Sequence, residues 1–403
     1  MVKAHGYSGF YRGAYDEGRI REWAESLRQG LGAPEVSLGL VFISPSLMEQ
    51  AEQVLELVRL HARVTLLVGC TSTGLIVGGE ELEDVGGIAL GLYWLPGADL
   101  RVCRFTQEQV ELADGPGYWY THSGVGEGES RGWLVFADPF HLDAERWLGV
   151  WSEAYAGVPV LGGLAGGDFA ARRTQVFLDG EVFEEGGVAL SVGGGVRLES
   201  VISQGCSPIG ETWTVTRAER NWIHQIGNRP AYEVLMETYG GLTAEEQERA
   251  QGNLFLGLVM NEYLEEFGRG DFLIRNLLGA DPRVGSIAVG ALPRTGQTVQ
   301  FQRRDPESAS EDLRAALEVA VARLGSGTVY GGCLCSCNGR GQRMFGKAGH
   351  DAGMVQEELG VPGLAGFFCS GELGPVGGKN FLHGFTASLA LFVGDAEGEV
   401  RGE

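Results

Sequence analysis

Short apolar runs alternate with amphipathic stretches and glycine-rich turns along nearly the whole chain, and the order in which they alternate repeats. Residues 36–44 are apolar and predict a strand. From Ser46 to about Leu60 the apolar positions fall at helical spacing, with Ser46 or Ser44 as the N-cap, and 64–68 return as a second strand. After a turn, 86–94 and 99–106 read as a pair of strands joined by Leu95-Pro96-Gly97-Ala98. The same order recurs with a strand at 132–137, a helix at 143–155, a strand at 158–161 and a strand at 174–178 followed by the hairpin signal Asp179-Gly180. Strands at 187–192 and 196–203 extend it. A stretch at 114–129 with little periodicity reads as a linker between the two copies.

Pro230 opens a helix that Gly240-Gly241 closes. Short strand-like runs follow at 255–260, 272–278, 285–289 and 297–302, then a helix at 310–324. A third copy comes last, with a strand at 327–336, a helix near 352–359, the Phe367-Phe368 strand and a final strand at 386–393. The expected class is α/β, with two related halves of mixed β-sheets packed with helices and built from duplicated strand-helix-strand-turn-hairpin units.

Each copy passes through a glycine-rich turn: Gly69-Cys70-Thr71-Ser72-Thr73-Gly74, Gly162-Gly163-Leu164-Ala165-Gly166-Gly167-Asp168, and Gly366-Phe367-Phe368-Cys369-Ser370-Gly371-Glu372-Leu373-Gly374. Glycine tolerates positive φ and carries no Cβ, so such a turn exposes backbone N–H groups to a ligand or lets two segments cross closely. For a single turn the two readings are even. Convergence of several turns favours a site there, with Thr71, Ser72, Gly371, Glu372 and Gly374 as candidates.

Composition narrows the function classes. The chain has 403 residues, enough for two or three domains, and its 66 glycines far exceed the usual share of about 7%. The net charge of -22 opposes nucleic acid and anionic membrane as partners. No apolar run reaches the length of a membrane span and no secretory leader opens the chain, so a cytoplasmic location is expected. Seven cysteines, an odd number without a secretion signal, fit reduced thiols.

The densest chemistry lies in Cys333-Leu334-Cys335-Ser336-Cys337-Asn338-Gly339-Arg340. On a strand, alternation places the three thiols on one face, a spacing that suits core packing better than the looped ligand sets of structural zinc. Cys337 is also a conceivable nucleophile, with His350 or His383 as base. Arg340, just after Asn338-Gly339, offers a planar fork to a ligand carboxylate or to an internal partner such as Glu372. Glu372 in turn is an acceptor for an ammonium group. Together they would grip a zwitterion if Arg340, Glu372 and His383 line one pocket. Arg275, in a strand-like run, is a further charge that needs a partner. His383 would bond a ligand, ligate iron or pin Glu372. His224, His350 and His383 are the candidate axial ligands for a non-covalent haem, since no Cys-x-x-Cys-His occurs. Phosphate-cradling and hydrolase motifs are also missing from the sequence.

Pro208-Ile209-Gly210, Thr214-Val215-Thr216 and 229–235, followed by Phe272-Leu273-Ile274-Arg275, Cys337-Asn338-Gly339-Arg340-Gly341, Gly371-Glu372-Leu373-Gly374-Pro375 and His383, resemble the FIST domain family over residues 35–395. The resemblance implies an N-terminal extension at 1–34, an N-terminal FIST domain at 35–228, a C-terminal FIST domain at 229–395 and a tail at 396–403. It implies a sensory protein of intracellular signal transduction that binds a small, amino-acid-like ligand, with a haem-binding nitric-oxide sensor as the alternative. Eukaryotic relatives act in ubiquitin signalling. No kinase, cyclase, methyl-accepting or F-box segment accompanies the domains here, so a separate signalling protein is the expected partner. A cysteine-dependent enzyme is the third reading.

Overall fold

A computed structural model describes residues 4–395; the 396–403 tail lies outside the described residues. The described chain divides into two units by its internal contacts. One comprises residues up to Ile202 and from Leu317 onwards, and the other is Ser203–Ala316. Mixed sheets packed with helices make up the first and an antiparallel sheet with helices the second, and the whole is the α/β class the patterning predicts.

The first unit contains the repeated layout three times. Each copy builds the centre of a six-stranded sheet from a parallel pair and one antiparallel strand. In the first copy these are Leu38–Ile43, Leu67–Thr71 and Gly87–Tyr93. In the second they are Ser130–Ala137, Val160–Leu164 and Gly187–Gly194, and in the third Thr328–Cys337, Ala365–Cys369 and Ala387–Gly394. A glycine sits at the matching position of each parallel pair. A Cβ at Gly69, Gly162 or Gly366 would lie 1.7, 2.0 or 1.9 Å from the carbonyl oxygen of Val41, Val135 or Leu334, so these three glycines serve close strand approach, not a ligand.

The copies exchange their hairpins in a cycle. Gly74–Val77 with Glu80–Glu83, from the first copy, pairs with Ala365–Cys369 of the third. Val176–Leu178 with Glu181–Phe183, from the second, pairs with Leu67–Thr71 of the first. Glu372–Val376 with Lys379–His383, from the third, pairs with Val160–Leu164 of the second. The opposite edges follow the same cycle. Ala98–Phe105 leaves the first copy for the second sheet and Val196–Ser203 leaves the second for the third, while the N-terminal strand Gly6–Arg12 closes the first. Residues 6–31, read from sequence only as an extension, thus supply that strand and the helix Glu17–Leu31.

Three sheets face one core. Phe42, Phe136 and Phe367, one per sheet, meet with ring centroids 4.8 to 5.7 Å apart. In the strand register Phe42 lies opposite Cys70, Phe136 opposite Gly163, and Cys335 opposite Phe367. Each parallel pair therefore offers one ring and one small residue, with the ring moved to the second strand in the third copy. That keeps packing density while letting three rings occupy one centre. Cys333 and Cys335 belong to this core with their sulfurs 3.9 Å apart, on one face as alternation predicts.

Helices cover the outer faces. Glu17–Leu31 and Ala51–Ala62 bury their apolar stripes on the first sheet and Ala144–Ala154 on the second. The segment read as a linker holds the helix Pro116–Ser123. Its apolar stripe is invisible to periodicity because only Trp119 and Ser123 are buried, although Pro116 marks its first turn. The helix predicted from Ser46 begins instead as a 3₁₀ turn, Pro45–Gln50, because Ser44 Oγ accepts from Gly87 N at 2.8 Å and does not cap.

In the unit Ser203–Ala316, seven strands form one sheet that closes on itself by pairing Ser207–Glu219 with Trp222–Ile226. Ile209, Val299, Leu256 and Phe301 fill its core with Val234 and Leu235 of the helix Ala231–Gly240.

Candidate functional site

The three turns leave the C-terminal ends of the parallel strands and meet there. Gly166 N donates to Thr71 O at 2.9 Å, joining the second turn to the first. Ser370 N donates to Leu164 O at 3.0 Å, joining the third to the second. Between first and third the link is a side chain, with Ser72 Oγ donating to Phe368 O at 2.6 Å. Gly166 sits inside this ring of bonds; a Cβ there would lie 3.2 Å from Thr73 N and 3.6 Å from Phe368 O. Thr71 is equally buried, its hydroxyl accepting from Gln175 N at 2.9 Å. Thr71 and Ser72 thus hold the turns together, and the residue after them, Thr73, faces the solvent.

Beside the first and third turns lies a cleft of about 580 Å³. Thr73, Asn338 and Ser370 supply hydroxyl and amide groups, Glu83 and Asp84 supply carboxylates, and Phe169 and Phe368 supply aromatic wall. Cys337 and Cys369 line it as well. A second hollow of about 230 Å³, bordered by Ser44 and Ser46, continues from it across Thr73 and Asp84. Open strand ends where separate loops meet are the usual ligand position in α/β sheets. The acidic pair has its own support. Glu83 accepts from Gln342 N at 2.6 Å, and Asp84 holds a left-handed φ of 54°, a conformation that strains a non-glycine residue and collects at functional sites.

Arg340 and Glu372, the predicted zwitterion clamp, do not line this cleft, and neither does His383. Arg340 is wholly buried, with Nε donating to Asp351 Oδ2 at 2.6 Å and Nη2 to Oδ1 at 2.8 Å. Burial would raise the Asp351 carboxyl, but the Arg340 guanidinium, aided by His350, holds it well below the usual carboxylate range. The predicted salt-bridge alternative is therefore the observed one, with Asp351 in place of Glu372. The reason is local. Arg340 precedes the short helix Gly341–Phe345, and the next helix, His350–Leu359, brings Asp351 back beneath it. Glu81 of the visiting hairpin caps that second helix, accepting from Ala352 N at 2.9 Å and His350 N at 3.2 Å, so no capping side chain appears in the local sequence.

Glu372 is buried with Thr386 N donating to it at 3.0 Å and the Cys369 sulfur 3.1 Å away. Burial lifts its carboxyl to about 7, against the pull of Thr386 N–H, the Cys369 and Cys337 thiols and Arg340. His383, also buried, bonds the Gly374 carbonyl at 3.0 Å; Gly374 and Gly371 are packing positions against Ile202 and Leu164. Arg275 belongs to the other unit, where its Nη1 donates to Ile274 O at 3.1 Å. Of the predicted residues, Asn338 and Cys337 line the cleft, while Glu83, Asp84, Thr73 and Phe169 were missed. The hairpin that carries Glu83 and Asp84 joins a sheet nearly 300 residues away in sequence, so only Ser72-Thr73 in the first turn pointed toward it.

The other chemistries find less support in the geometry. Burial pushes the Cys337 thiol up to about 12, reinforced by the Glu372 carboxylate, which keeps it protonated and a poor nucleophile. Among the described residues no group of three His, Cys, Asp or Glu is placed to hold a metal ion. Of the histidines considered for haem, His350 bonds Asp351 at 2.9 Å and His224 bonds Ser286 at 2.8 Å in the other unit. No helix among the described residues is long and apolar enough to cross a membrane.

Comparison with known proteins now fixes the family. The FIST N domain model matches residues 37–229 and the FIST C domain model matches 231–375. The chain belongs to the FIST domain family. FIST domains are generally sensory domains in signal transduction. The uncharacterized protein Rv0628c of Mycobacterium tuberculosis is 39% identical over 375 residues, covering 92% of this chain and 95% of the relative. Mb0898c, an uncharacterized protein of Mycobacterium bovis, is 38% identical over 379 residues, with 93% and 95% covered. A more distant match, the uncharacterized protein MJ1623 of Methanocaldococcus jannaschii, is 21% identical over 298 residues, 70% of this chain and 54% of the relative.

One consequence of the buried FIST carboxylate is a measurable pH dependence. Between its ordinary value of 4.5 and about 7, Glu372 in the folded protein keeps a proton that the unfolded chain has released. Raising pH through that window therefore removes stability, whereas below it both states are protonated. Glu372→Gln should abolish this contribution, about 3 kcal/mol, so that the variant gains on the parent between about pH 5 and pH 8 in urea denaturation. Parallel stability curves for the two proteins would contradict it.

Proposed function

We propose that this FIST protein is a small-ligand sensor whose ligand occupies the cleft at the meeting of the three turns. The supporting observation is the convergence itself. Thr73, Asn338 and Ser370 from the first and third copies surround one opening with Glu83 and Asp84 at its rim. A cleft of that volume suits a molecule of amino-acid size or somewhat larger. Its carboxylates match an ammonium group, so the ligand is amino-acid-like at its cationic end, and Phe169 and Phe368 offer faces to its apolar part. With Arg340 committed to Asp351, and with the Thr73 hydroxyl donating to Asn338 Oδ1 at 3.3 Å and the Ser370 hydroxyl to Ala165 O at 3.1 Å, recognition of a ligand carboxylate falls to the Asn338 amide N–H₂. Occupancy would bind the first and third turns more tightly, a change that a separate signalling protein would read. The seven free cysteines fit a cytoplasmic setting.

Native mass spectrometry of freshly purified protein, followed by calorimetric titration of amino acids and small amines, tests this reading. Asp84→Asn should weaken binding about tenfold by removing a charge-assisted hydrogen bond, and the loss should shrink in high salt. Undiminished affinity in that variant, or failure of every ammonium-bearing probe to bind, would reject the site.

A further inference from the structure

The unit Ser203–Ala316 contains a cavity that the cleft reading does not use. Its central strand, Leu254–Val259, runs between Phe272–Asp281 and Thr298–Arg303 without a bulge on either side. Gly257 lies in register with Ile274 on one neighbour and Gln300 on the other. Glycine in the middle of a central strand weakens it and often marks a place that must stay open. Here a Cβ would press on Phe272 Cβ at 3.0 Å and on Gln302 Nε2 at 3.1 Å, and both of those residues line the cavity.

The cavity measures about 120 Å³ and is walled by Phe272, Ile274, Pro208 and Phe267. A void near 150 Å³ is known to hold a benzene-sized molecule, so this one admits a single small ring. Its polar lining divides into two kinds. Both ends of the Gln204 amide are engaged, the nitrogen donating to Phe272 O at 2.7 Å and the oxygen accepting from Ile274 N at 2.9 Å. Asp312 accepts from Ser203 Oγ and Gly205 N, and Arg269 donates to Ser207 Oγ and Glu311. The charges are thus satisfied internally, and a charged ligand would find no counter-ion. Gln302 differs. It is 3% exposed and its carboxamide has no hydrogen-bond partner among the described residues. The Gln302 carboxamide atoms are not among the polar atoms sealed from solvent, so the amide opens onto the cavity with its donors and acceptor uncommitted and available to a guest.

We infer that this cavity is a second ligand site, taking a small neutral ring with a cis-amide edge, such as a lactam or a pyridone. A primary carboxamide offers one donor and one acceptor side by side, and a cis-amide edge presents the complementary acceptor and donor. The ring itself would lie against Phe272 and Ile274. Such a guest is independent of the ammonium-bearing ligand assigned to the cleft of the other unit.

The probe is 2-pyridone, followed by saturation-transfer NMR on the full chain, with N-methyl-2-pyridone as a matched ring that lacks the N–H. The parent protein should bind 2-pyridone and prefer it to the N-methyl compound about tenfold or more, since methylation removes a hydrogen bond and leaves a buried acceptor unpaired. Gln302→Met should erase that preference while still admitting the ring, and Gly257→Ala should weaken both by pushing on the amide and on Phe272. The comparison of the two probes needs no variant, so a substitution that fails to fold leaves the test intact. Equal affinity for the two rings overturns the inference, as does no detectable binding of 2-pyridone at about 10 mM, a level at which even a seven-atom ligand of ordinary efficiency registers. Binding of 2-pyridone that survives Gln302→Met with its preference unchanged overturns it as well.

Discussion

Asp351→Ala is expected to destabilise the protein by about 3–5 kcal/mol, enough to unfold a chain of ordinary stability, because it leaves the Arg340 guanidinium buried without its counter-charge. The pair is fully enclosed, and Asp351 also accepts from Ser336 Oγ at 2.9 Å and pairs with the His350 ring. Removing the carboxylate therefore takes one partner from each of three buried groups at once, whereas a surface group that loses its partner turns to water. The double substitution Arg340→Met with Asp351→Leu should recover most of the loss, since exchanging a buried ion pair for apolar side chains of similar volume is often neutral. Urea denaturation of the two single variants and the double variant checks this. A single variant within about 1 kcal/mol of the parent would mean that water reaches the pair and that Arg340 is not the anchor the geometry makes it. The outcome also bears on the cleft. Arg340 follows Asn338 by two residues, so losing the anchor should loosen the segment that presents Asn338 and lower ligand affinity together with stability.

What the sequence makes legible here is local, and what it hides is long-range. Apolar runs, the helix patterns near 51–62, 144–154 and 350–359, and the three glycine turns were all readable, because period and turn chemistry are properties of neighbouring residues. So was the place of the cleft, since turns that follow equivalent strands must gather at one end of the sheets. The hairpin exchange was not readable. Glu80–Glu83 is a short acidic run, and nothing in its composition says that its hairpin joins a sheet centred on Thr328–Cys337 and Ala365–Cys369. Hence Glu83 and Asp84 were overlooked as cleft residues and Glu81 as a helix cap. Arg340 shows the opposite error. An arginine after Asn-Gly looks like an exposed fork, and its burial depends on Asp351 eleven residues later, on the far side of a short helix. Residue type and spacing gave the chemistry correctly as bidentate carboxylate binding, and could not say whether the carboxylate belonged to a ligand or to the chain.

Cutting the chain between the two family domains should abolish folding of both pieces. Residues 1–228 and 229–403, produced separately, are each expected to be aggregated or disordered, and mixing them from denaturant or producing them together should restore a cooperative protein. The reason is the cyclic exchange. The N-terminal piece would lose the partner of Gly74–Val77 on Ala365–Cys369 and the hairpin that pairs with Val160–Leu164, leaving unpaired edges on apolar strands. The C-terminal piece would lose the strand Val196–Ser203 from one sheet edge and two of the three rings from the centre where Phe42, Phe136 and Phe367 meet. Each ring removed from a close-packed core costs about 3–5 kcal/mol, so two of them exceed the margin of a typical domain. Opening the chain elsewhere should be far milder. Gly6 and Gly394 both lie against Tyr330, which places the two ends of the repeat cycle beside each other. A permutant that joins residue 395 to residue 5 by a short linker and begins at Gly97, in the turn between the strands Gly87–Tyr93 and Ala98–Phe105, keeps every strand pairing and should melt cooperatively within a few degrees of the parent. Far-UV circular dichroism and size-exclusion chromatography distinguish the cases. A folded, monomeric 1–228 fragment would show that the first two copies complete a core without the third, and the interlocked cycle would then be a consequence of the fold and not its condition.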